Sequence, residues 1–210
     1  MSSEIIRLEK AQISQAAETL MNAFRVEREN QEQPQEEQDF FSQIFSPYYI
    51  EVNNEESYRS NWEACVRYFQ RLRLEFTTPN IQGVAVWIPP LGYPLDIWRC
   101  LEAGYYSGLN YSFPFSLLNT NYYDTSMKQP CWRLYLLGVS KDYQRQGIGS
   151  ALIKPILERA SCDDLPCYLF TQTEEGVNFY ESNGFEVIKK IDIPVTLDKT
   201  TTYWHMKKEP

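Results

Sequence analysis

The spacing of apolar residues divides this chain into segments with helical and strand periods. Apolar residues recur every three to four positions over residues 13–24 and 56–74, which predicts two amphipathic helices. Further helices are predicted over residues 147–160 and 174–182. Short apolar runs bounded by turn residues predict strands. These runs cover residues 6–8, 74–78, 81–88, 132–139, 167–171, 185–191 and 201–207.

The order of these elements mixes strands with helices, without an internal repeat or a linker between domains. We therefore predict a single domain over residues 1–210 of the α+β (mixed α/β) class, in which helices flank one sheet. Residues 25–55 interrupt the pattern with a polar, acidic run broken by Pro34, so we predict a loop, with a flap over a site as the alternative. Residues 91–130 are predicted as a helical insert whose many aromatic side chains either fill the core or line a pocket.

Composition and charge disfavour several classes of protein. The net charge of −8 disfavours nucleic acid as a partner, because phosphates are bound through basic surfaces. No run of 18 apolar residues is present and the first residues lack the pattern of a signal peptide, so we expect neither a membrane helix nor secretion. Five cysteines without a Cys-x-x-Cys pair, beside a single histidine, predict no metal site and indicate reduced thiols in a cytoplasmic protein.

Candidate chemistry is concentrated between residues 132 and 160. An apolar strand there runs into a polar turn, and the run QRQGIGS at 144–150 opens an amphipathic helix. Glycine lets the backbone approach a ligand closely, and the first turn of a helix offers unpaired N–H groups at the positive end of its dipole. Arg145 adds a full charge, so the segment suits a pyrophosphate. A dinucleotide fingerprint would need glycine at Leu152 and a P-loop would need lysine at Ser150, so neither motif fits.

Two motifs carry a resemblance to a known family. The run QRQGIG resembles the acyl-CoA-binding motif of the GNAT acetyltransferase superfamily, Gln/Arg-x-x-Gly-x-Gly/Ala. Further along, NFYESNGF at 178–185 is similar to the Tyr-x-x-x-Gly-Phe element of that family. A narrower resemblance is to puromycin N-acetyltransferase and its relatives, through VAVW at 84–87, WxL at 132–134, Pro155 within the helix and the closing WxM at 204–206. The resemblance covers residues 83–90 and 131–207.

The resemblance implies an acetyl-CoA-dependent N-acetyltransferase with a mostly antiparallel mixed sheet that is splayed at the acyl-CoA site. It implies direct transfer of acetyl from the thioester to the amine of a small molecule, with Tyr180 as the catalytic acid that protonates the leaving sulfur. Backbone amides at 137–139 would hold the pantetheine and the acetyl carbonyl, and residues 145–150 the pyrophosphate. The implied cofactor-binding residues are Leu137, Gly138, Val139, Gln144, Arg145, Gln146, Gly147, Ile148, Gly149, Ser150, Thr173, Asn178 and Tyr180.

Two positions depart from the family pattern. Thr173 stands where the family often has an asparagine, which weakens one expected CoA contact. Phe170 stands where puromycin acetyltransferase carries a glutamate, so its acceptor chemistry is not carried over. Acceptor contacts are instead predicted for Trp87, Glu102, Tyr105, Tyr106 and Trp132.

The residue that deprotonates the amine is not identified by the sequence. Glu102 is a candidate among the aromatic residues, with Glu174 and Glu175 as weaker ones. His205 lies on a strand whose alternate face carries Trp204 and Met206, and a surface or capping role is predicted for it.

Three functions follow as alternatives. The first is acetylation of a small amine, such as an antibiotic-like aminonucleoside or a polyamine, by a monomer or a homodimer. The second is a non-catalytic acyl-CoA-binding or sensing module. The third, acetylation of proteins or peptides, needs an open acceptor groove, which the aromatic insert disfavours.

Overall fold

The structure is a computed structural model, described here for residues 4–24, 55–70, 75–90, 130–194 and 200–210. The predicted loop at 25–55 and the predicted insert at 91–130 lie outside the described residues, except for the last residue of each. The candidate residues Glu102, Tyr105 and Tyr106 therefore also lie outside them.

The helices within these ranges follow the predicted amphipathic segments. Helix α1 spans Ile13–Phe24, α2 spans Glu55–Gln70, α3 spans Ile148–Cys162 and α4 spans Glu174–Ser182. Short 3-10 turns occupy Lys10–Gln12 and Lys141–Tyr143. In the described part of the chain, no helix is long and apolar enough to cross a membrane.

The strands of the described residues form one seven-stranded sheet. Their order is β1-β2-β3-β4-β5-β7-β6, and every neighbouring pair is antiparallel except β4 with β5. The predicted α+β class is therefore confirmed. The strands are β1 (Ile6–Arg7), β2 (Glu75–Thr77), β3 (Gly83–Ile88), β4 (Trp132–Val139), β5 (Cys167–Thr171), β6 (Glu186–Pro194) and β7 (Thr200–Lys208).

The two faces of the sheet are covered by different helices, because alternate side chains of a strand point to opposite faces. Helices α1 and α2 pack with Val84 and Val86 on one face, which we call the α1 face. Helix α3 packs with Ala85 and Trp87 on the other, the α3 face. At Gly138 a Cβ atom would lie 2.9 Å from Leu20, so glycine is what lets α1 approach β4 this closely.

Strand β4 is irregular where the candidate chemistry begins. Val86 pairs with Leu136 and Trp87 with Leu134, so Tyr135 is the extra residue of a β-bulge. Strand β4 pairs with β5 only at Trp132 and Arg133. Beyond Arg133 the edge of β4 that faces β5 therefore offers backbone groups that no ladder with a described strand uses.

The structure corrects the predictions for His205 and for the start of β3, and it places Trp87 and Trp132 in the core. His205 is only 7% exposed, so the predicted surface or capping position is wrong: β7 lies inside the sheet, between β5 and β6. Trp87 and Trp132 are buried on the α3 face, where both indoles pack in the core. Strand β3 begins at Gly83 rather than at Ile81, because Ile81 has a φ of 52° and belongs to the turn.

Candidate active site

The turn between β4 and α3, residues 144–147, has the backbone form of an anion site. Gly147 is the N-cap of α3 with a φ of 80°, and no atom lies within 4 Å of the position of a Cβ there. Arg145 precedes it with a φ of 59°, in the left-handed region that non-glycine residues rarely adopt. Left-handed residues before a helix turn successive N–H groups toward one concavity, which favours a phosphate. We call residues 144–150 the phosphate turn.

The two glutamines of the phosphate turn hydrogen-bond to its own backbone. Gln144 Nε2 donates to the carbonyl of Val139 at 3.0 Å, and Gln146 Nε2 donates to that of Asp142 at 3.2 Å. Gln144 thus ties the turn to the end of β4. Both side chains therefore support the shape of the turn.

The second glycine of the motif has a packing role. At Gly149 an added Cβ would lie 3.0 Å from Cζ of Phe179, so the Phe179 ring rests on the first turn of α3. Gly147 is therefore needed for its φ and open surroundings, and Gly149 for contact with α4. This separation of roles is not visible in the sequence motif.

Helix α4 is anchored at its start by Thr173. The Thr173 hydroxyl accepts a hydrogen bond from Gly176 N at 3.0 Å, which makes it the N-cap. Asparagine, the residue common in the family here, is an equally good cap, so the substitution keeps the local structure. Asn178, also predicted to contact the cofactor, is exposed on α4.

Tyr180 lies on α4 between two aromatic rings. Its ring makes edge contacts with Phe179 at 5.0 Å and with Phe185 at 5.8 Å between centroids. Burial raises the pKa of Tyr180 above its usual value, so the phenol keeps its proton throughout the physiological range. Phe179 contacts both Tyr180 and Gly149, so the predicted acid and the phosphate turn share a neighbour.

The edge of β4 supplies the backbone of the site. Leu137 and Val139 are partly buried against the α3 core. At these two positions β3 is the only described strand that pairs with β4. Alternate residues of a strand direct their N–H groups to opposite sides, so part of the amides at 134–139 points into the space between β4 and β5. This is where the sequence predicted the pantetheine and acetyl contacts.

A cleft that sequence reasoning missed opens where β4 and β5 stop pairing. It is an open cleft, with about 350 Å³ of empty space when the solvent at its mouth is counted. The residues that line it are Ile88, Arg133, Leu134, Tyr135, Tyr168, Leu169, Phe170 and His205. Strand alternation gives the only hint of it in the sequence, since Tyr168 and Phe170 share one face of β5. Neither Trp87 nor Trp132, the predicted acceptor contacts, lines it.

Two buried cysteines, Cys131 and Cys167, are poorly suited as nucleophiles. Burial raises the pKa of the Cys131 thiol, against a smaller opposing effect of Arg133. Burial also raises the pKa of Cys167 to about 12. Only a thiolate attacks a thioester effectively, so neither residue is suited to form an acyl-enzyme.

Glu75 is a second group that sequence reasoning missed. Its side chain is 2% exposed in β2, and neither carboxyl oxygen has a hydrogen-bond partner among the described residues. Burial raises the pKa of Glu75 to about 9, so it is protonated at neutral pH. Glu75 stands between the apolar residues Leu74 and Phe76, a pattern that is typical of a strand with one exposed face. The sequence alone therefore does not distinguish it from an exposed residue.

Comparison with known proteins also indicates an acetyltransferase domain. The family model of the acetyltransferase (GNAT) domain matches residues 116–187. A structure described as histone acetyltransferase HPA2 and related acetyltransferase from Corynebacterium glutamicum is 20% identical, with a TM-score of 0.64 over 100% of this chain and 97% of that chain. Naa20 of Chaetomium thermophilum, solved with a bisubstrate analogue, is 15% identical, with a TM-score of 0.54 over 98% of this chain and 86% of that chain.

A third solved structure contains the coenzyme. The PaiA N-acetyltransferase of Thermoplasma acidophilum in complex with coenzyme A is 15% identical, with a TM-score of 0.53 over 100% of both chains. Likeness at such identities concerns the fold, while the family model adds a match in sequence over the phosphate turn and the Tyr180 segment. The chain thus has the fold of the GNAT N-acetyltransferases and carries a match to their acetyltransferase domain, which together support an acyltransferase enzyme.

Proposed function

We propose that this chain is an acetyl-CoA-dependent N-acetyltransferase that transfers acetyl directly to the amine of a small molecule. The observation that carries the proposal is the continuity of the site. The phosphate turn lies at the end of β4, the unpaired edge of β4 follows, and Tyr180 touches the turn through Phe179. A phosphate-bearing thioester laid along β4 would meet all three.

The phosphate turn fits the diphosphate of CoA. The first-turn amides of α3 have no partner within the helix, and the open space at Gly147 leaves room for an oxygen to reach them. The exposed Arg145 side chain supplies a full positive charge. These residues would bind and orient the coenzyme without taking part in the chemistry.

The edge of β4 would stabilise the charge that develops on the thioester oxygen. Backbone N–H groups held by β3 on the far side are fixed before the substrate arrives, so they cost no reorganisation. Losing one such donor typically costs about 3–4 kcal/mol of transition-state stabilisation.

Tyr180 would act on the leaving sulfur. Since its pKa is raised, complete transfer of its proton to a thiolate, whose thiol has a pKa near 8.5, is uphill. We therefore assign it a hydrogen bond to the sulfur that strengthens as the C–S bond breaks, and its proton passes to the sulfur only as the phenol regains a proton from the attacking nitrogen. Direct attack by the amine agrees with the raised thiol pKa values of Cys131 and Cys167.

The amine must lose a proton before it attacks. An alkylamine with a pKa near 10.4 is neutral about once in 2,500 molecules at pH 7, a handicap of roughly 4.6 kcal/mol. The cleft beside Tyr135 would receive the amine, because it extends from β5 and β7 to the part of β4 that does not pair with β5.

The shared VAVW, WxL and WxM motifs support a place among puromycin N-acetyltransferase-like enzymes. This likeness in turn supports a small-molecule acceptor. The cytoplasmic setting is supported by the sequence, in which five cysteines form no Cys-x-x-Cys pair. Acetylation of peptides stays the alternative, because a solved structure of similar fold, the NatC complex, was bound to a Gag peptide and CoA.

The proposal is tested in two steps. Calorimetry with acetyl-CoA measures binding, and release of the CoA thiol is then followed with a panel of small amines, polyamines and short peptides. We expect saturable binding and amine-dependent thiol release with a small amine. Binding without release for any acceptor indicates a sensing module, and release with peptides alone indicates a peptide acetyltransferase.

A further inference from the structure

We infer that His205 is the proton acceptor for the amine: the imidazole is buried in the wall of the cleft that also holds the β4 bulge. This inference rests on the acetyl transfer proposed above, and it names the base that the sequence does not identify. The inference is based on one observation: His205 on β7 and Tyr135 at the bulge line the same cleft.

The position of His205 is fixed by the sheet. It pairs in register with Phe170 of β5, and the two rings lie 6.3 Å apart between centroids. His205 and Phe170 therefore lie side by side in the same wall of the cleft.

The other side chains that line the cleft are not suited to accept a proton from the amine. Arginine stays protonated and tyrosine stays neutral near pH 7, so Arg133, Tyr135 and Tyr168 have no free lone pair of suitable basicity. Imidazole is the side chain whose ordinary pKa lies near neutrality. Among the described residues that line the cleft, His205 is thus the only suited acceptor.

The other carboxyl candidates among the described residues do not line this cleft, while Glu102 lies outside the described residues. Glu174 and Glu175 are exposed in the first turn of α4, and neither lines the cleft. Glu75 is protonated at neutral pH and also does not line it.

Charged and titratable groups from each neighbouring described strand face His205. Arg133 of β4 and Tyr168 of β5 share its cleft, and Lys189 of β6 is its register partner. Lys207 lies two residues along β7, with its Nζ 5.6 Å from the ring of Tyr168. Cationic side chains therefore lie near the imidazole on β4, β6 and β7.

The protons balance as follows. The His205 imidazole takes one proton from the ammonium, directly or through a water, and passes it to solvent. The freed lone pair forms the N–C bond, the C–S bond breaks, and the electron pair leaves on sulfur, which takes a proton from Tyr180. The second proton of the attacking nitrogen returns through His205 and solvent to Tyr180. The products are amide, CoA thiol and one proton.

The test combines a pH profile with chemical rescue. We expect kcat of the wild type, at saturating acetyl-CoA and amine, to fall on the acidic side as the imidazole becomes protonated. His205→Gln should lose this acidic limb and lower kcat about 10²- to 10³-fold, with unchanged acetyl-CoA affinity. Added imidazole should restore part of the activity of His205→Ala, in proportion to its neutral form.

Controls separate a catalytic from a structural role. Tyr168→Phe changes the same cleft by one hydroxyl and should retain the acidic limb. His205→Asn is the second variant if His205→Gln does not fold, as judged by thermal melting. A wild type without an acidic limb, a His205 variant that keeps it, or absent imidazole rescue overturns the inference while leaving acetyl transfer intact. Acetyl-CoA binding without thiol release by the wild type overturns the proposed function and the base together.

Discussion

Gly149 and Phe179 touch so closely that no side chain fits between them: an added Cβ would lie 3.0 Å from Cζ and 3.2 Å from Cε2 of the ring. Gly149 belongs to the first turn of α3, and Phe179 to α4. The neighbour of Phe179 in the chain is Tyr180, with the two rings 5.0 Å apart. The distance between the phosphate turn and the proposed acid is therefore set by one contact.

The first prediction follows from this contact. Gly149→Ala should displace the Phe179 ring and with it Tyr180, and overpacking of this kind costs about 1–3 kcal/mol. We expect kcat to fall about tenfold with a lower melting temperature. Phe179→Leu removes the two ring atoms that meet the new methyl group, so the double variant should recover much of both losses. Additive losses in this double-mutant cycle contradict the coupling.

The fold was largely predictable because its elements have strong periods. The bounds predicted for β4, β5 and α4 coincide with the observed ones, since each is flanked by clear turn residues. The predicted strand at 81–88 began too early, because the positive φ of Ile81 leaves no signal in an apolar residue. Which strands are neighbours, and that β7 lies inside the sheet, is set by tertiary pairing and is not encoded locally.

The conformation of the candidate site was predictable where glycines determine the backbone. Gly147 and Gly149 mark the phosphate turn directly in the sequence, while the roles of Arg145 and Tyr180 toward a coenzyme stay predictions. The cleft was not predictable, because it arises where pairing between β4 and β5 stops at Arg133, a property of two strands together. His205 was misplaced for the same reason, as its burial depends on β5 and β6 on either side.

The second prediction concerns Tyr180. Tyr180→Phe should lower kcat about 10²-fold while leaving acetyl-CoA affinity nearly intact, because only the proton donor is lost. Since burial raises the pKa of Tyr180, its phenol stays neutral, and kcat of the wild type should not fall on the alkaline side up to about pH 10. Tyr143→Phe, which alters an exposed tyrosine before the phosphate turn, is the matched control and should change neither quantity. An unchanged kcat in Tyr180→Phe removes Tyr180 from the acid role.

The third prediction separates shape from charge in the phosphate turn. Gly147→Ala meets no neighbour but must adopt a φ of 80°, a strain of about 1–2 kcal/mol, so it should weaken acetyl-CoA binding modestly. Gly147→Asp adds a negative charge beside the diphosphate and should abolish binding. S-acetylpantetheine, which has no phosphate, is the matched ligand, and its turnover should be similar in both variants. Equal effects of Gly147→Asp on the two thioesters would show that the diphosphate lies elsewhere.

The last prediction concerns stability and Glu75. Its pKa is about 9 in the folded chain, against an ordinary value of 4.5. Between these values the folded state holds one proton more than the unfolded state, so the free energy of unfolding falls as pH rises, by up to about 1.4 kcal/mol per pH unit. Below the lower value and above the upper one, this group adds no slope.

Urea unfolding at pH 6 and pH 8 measures this slope. Glu75→Gln keeps the shape of the neutral acid and cannot ionise, so it should remove this contribution to the slope. The stability that Glu75→Gln gains over the wild type should therefore be about 2–3 kcal/mol larger at pH 8 than at pH 6. Glu158→Gln, which removes an exposed carboxylate paired with Lys154, is the control and should keep the wild-type slope. Identical slopes for wild type and Glu75→Gln would mean that the Glu75 carboxyl is already ionised in the fold, held by a partner that the described residues do not supply.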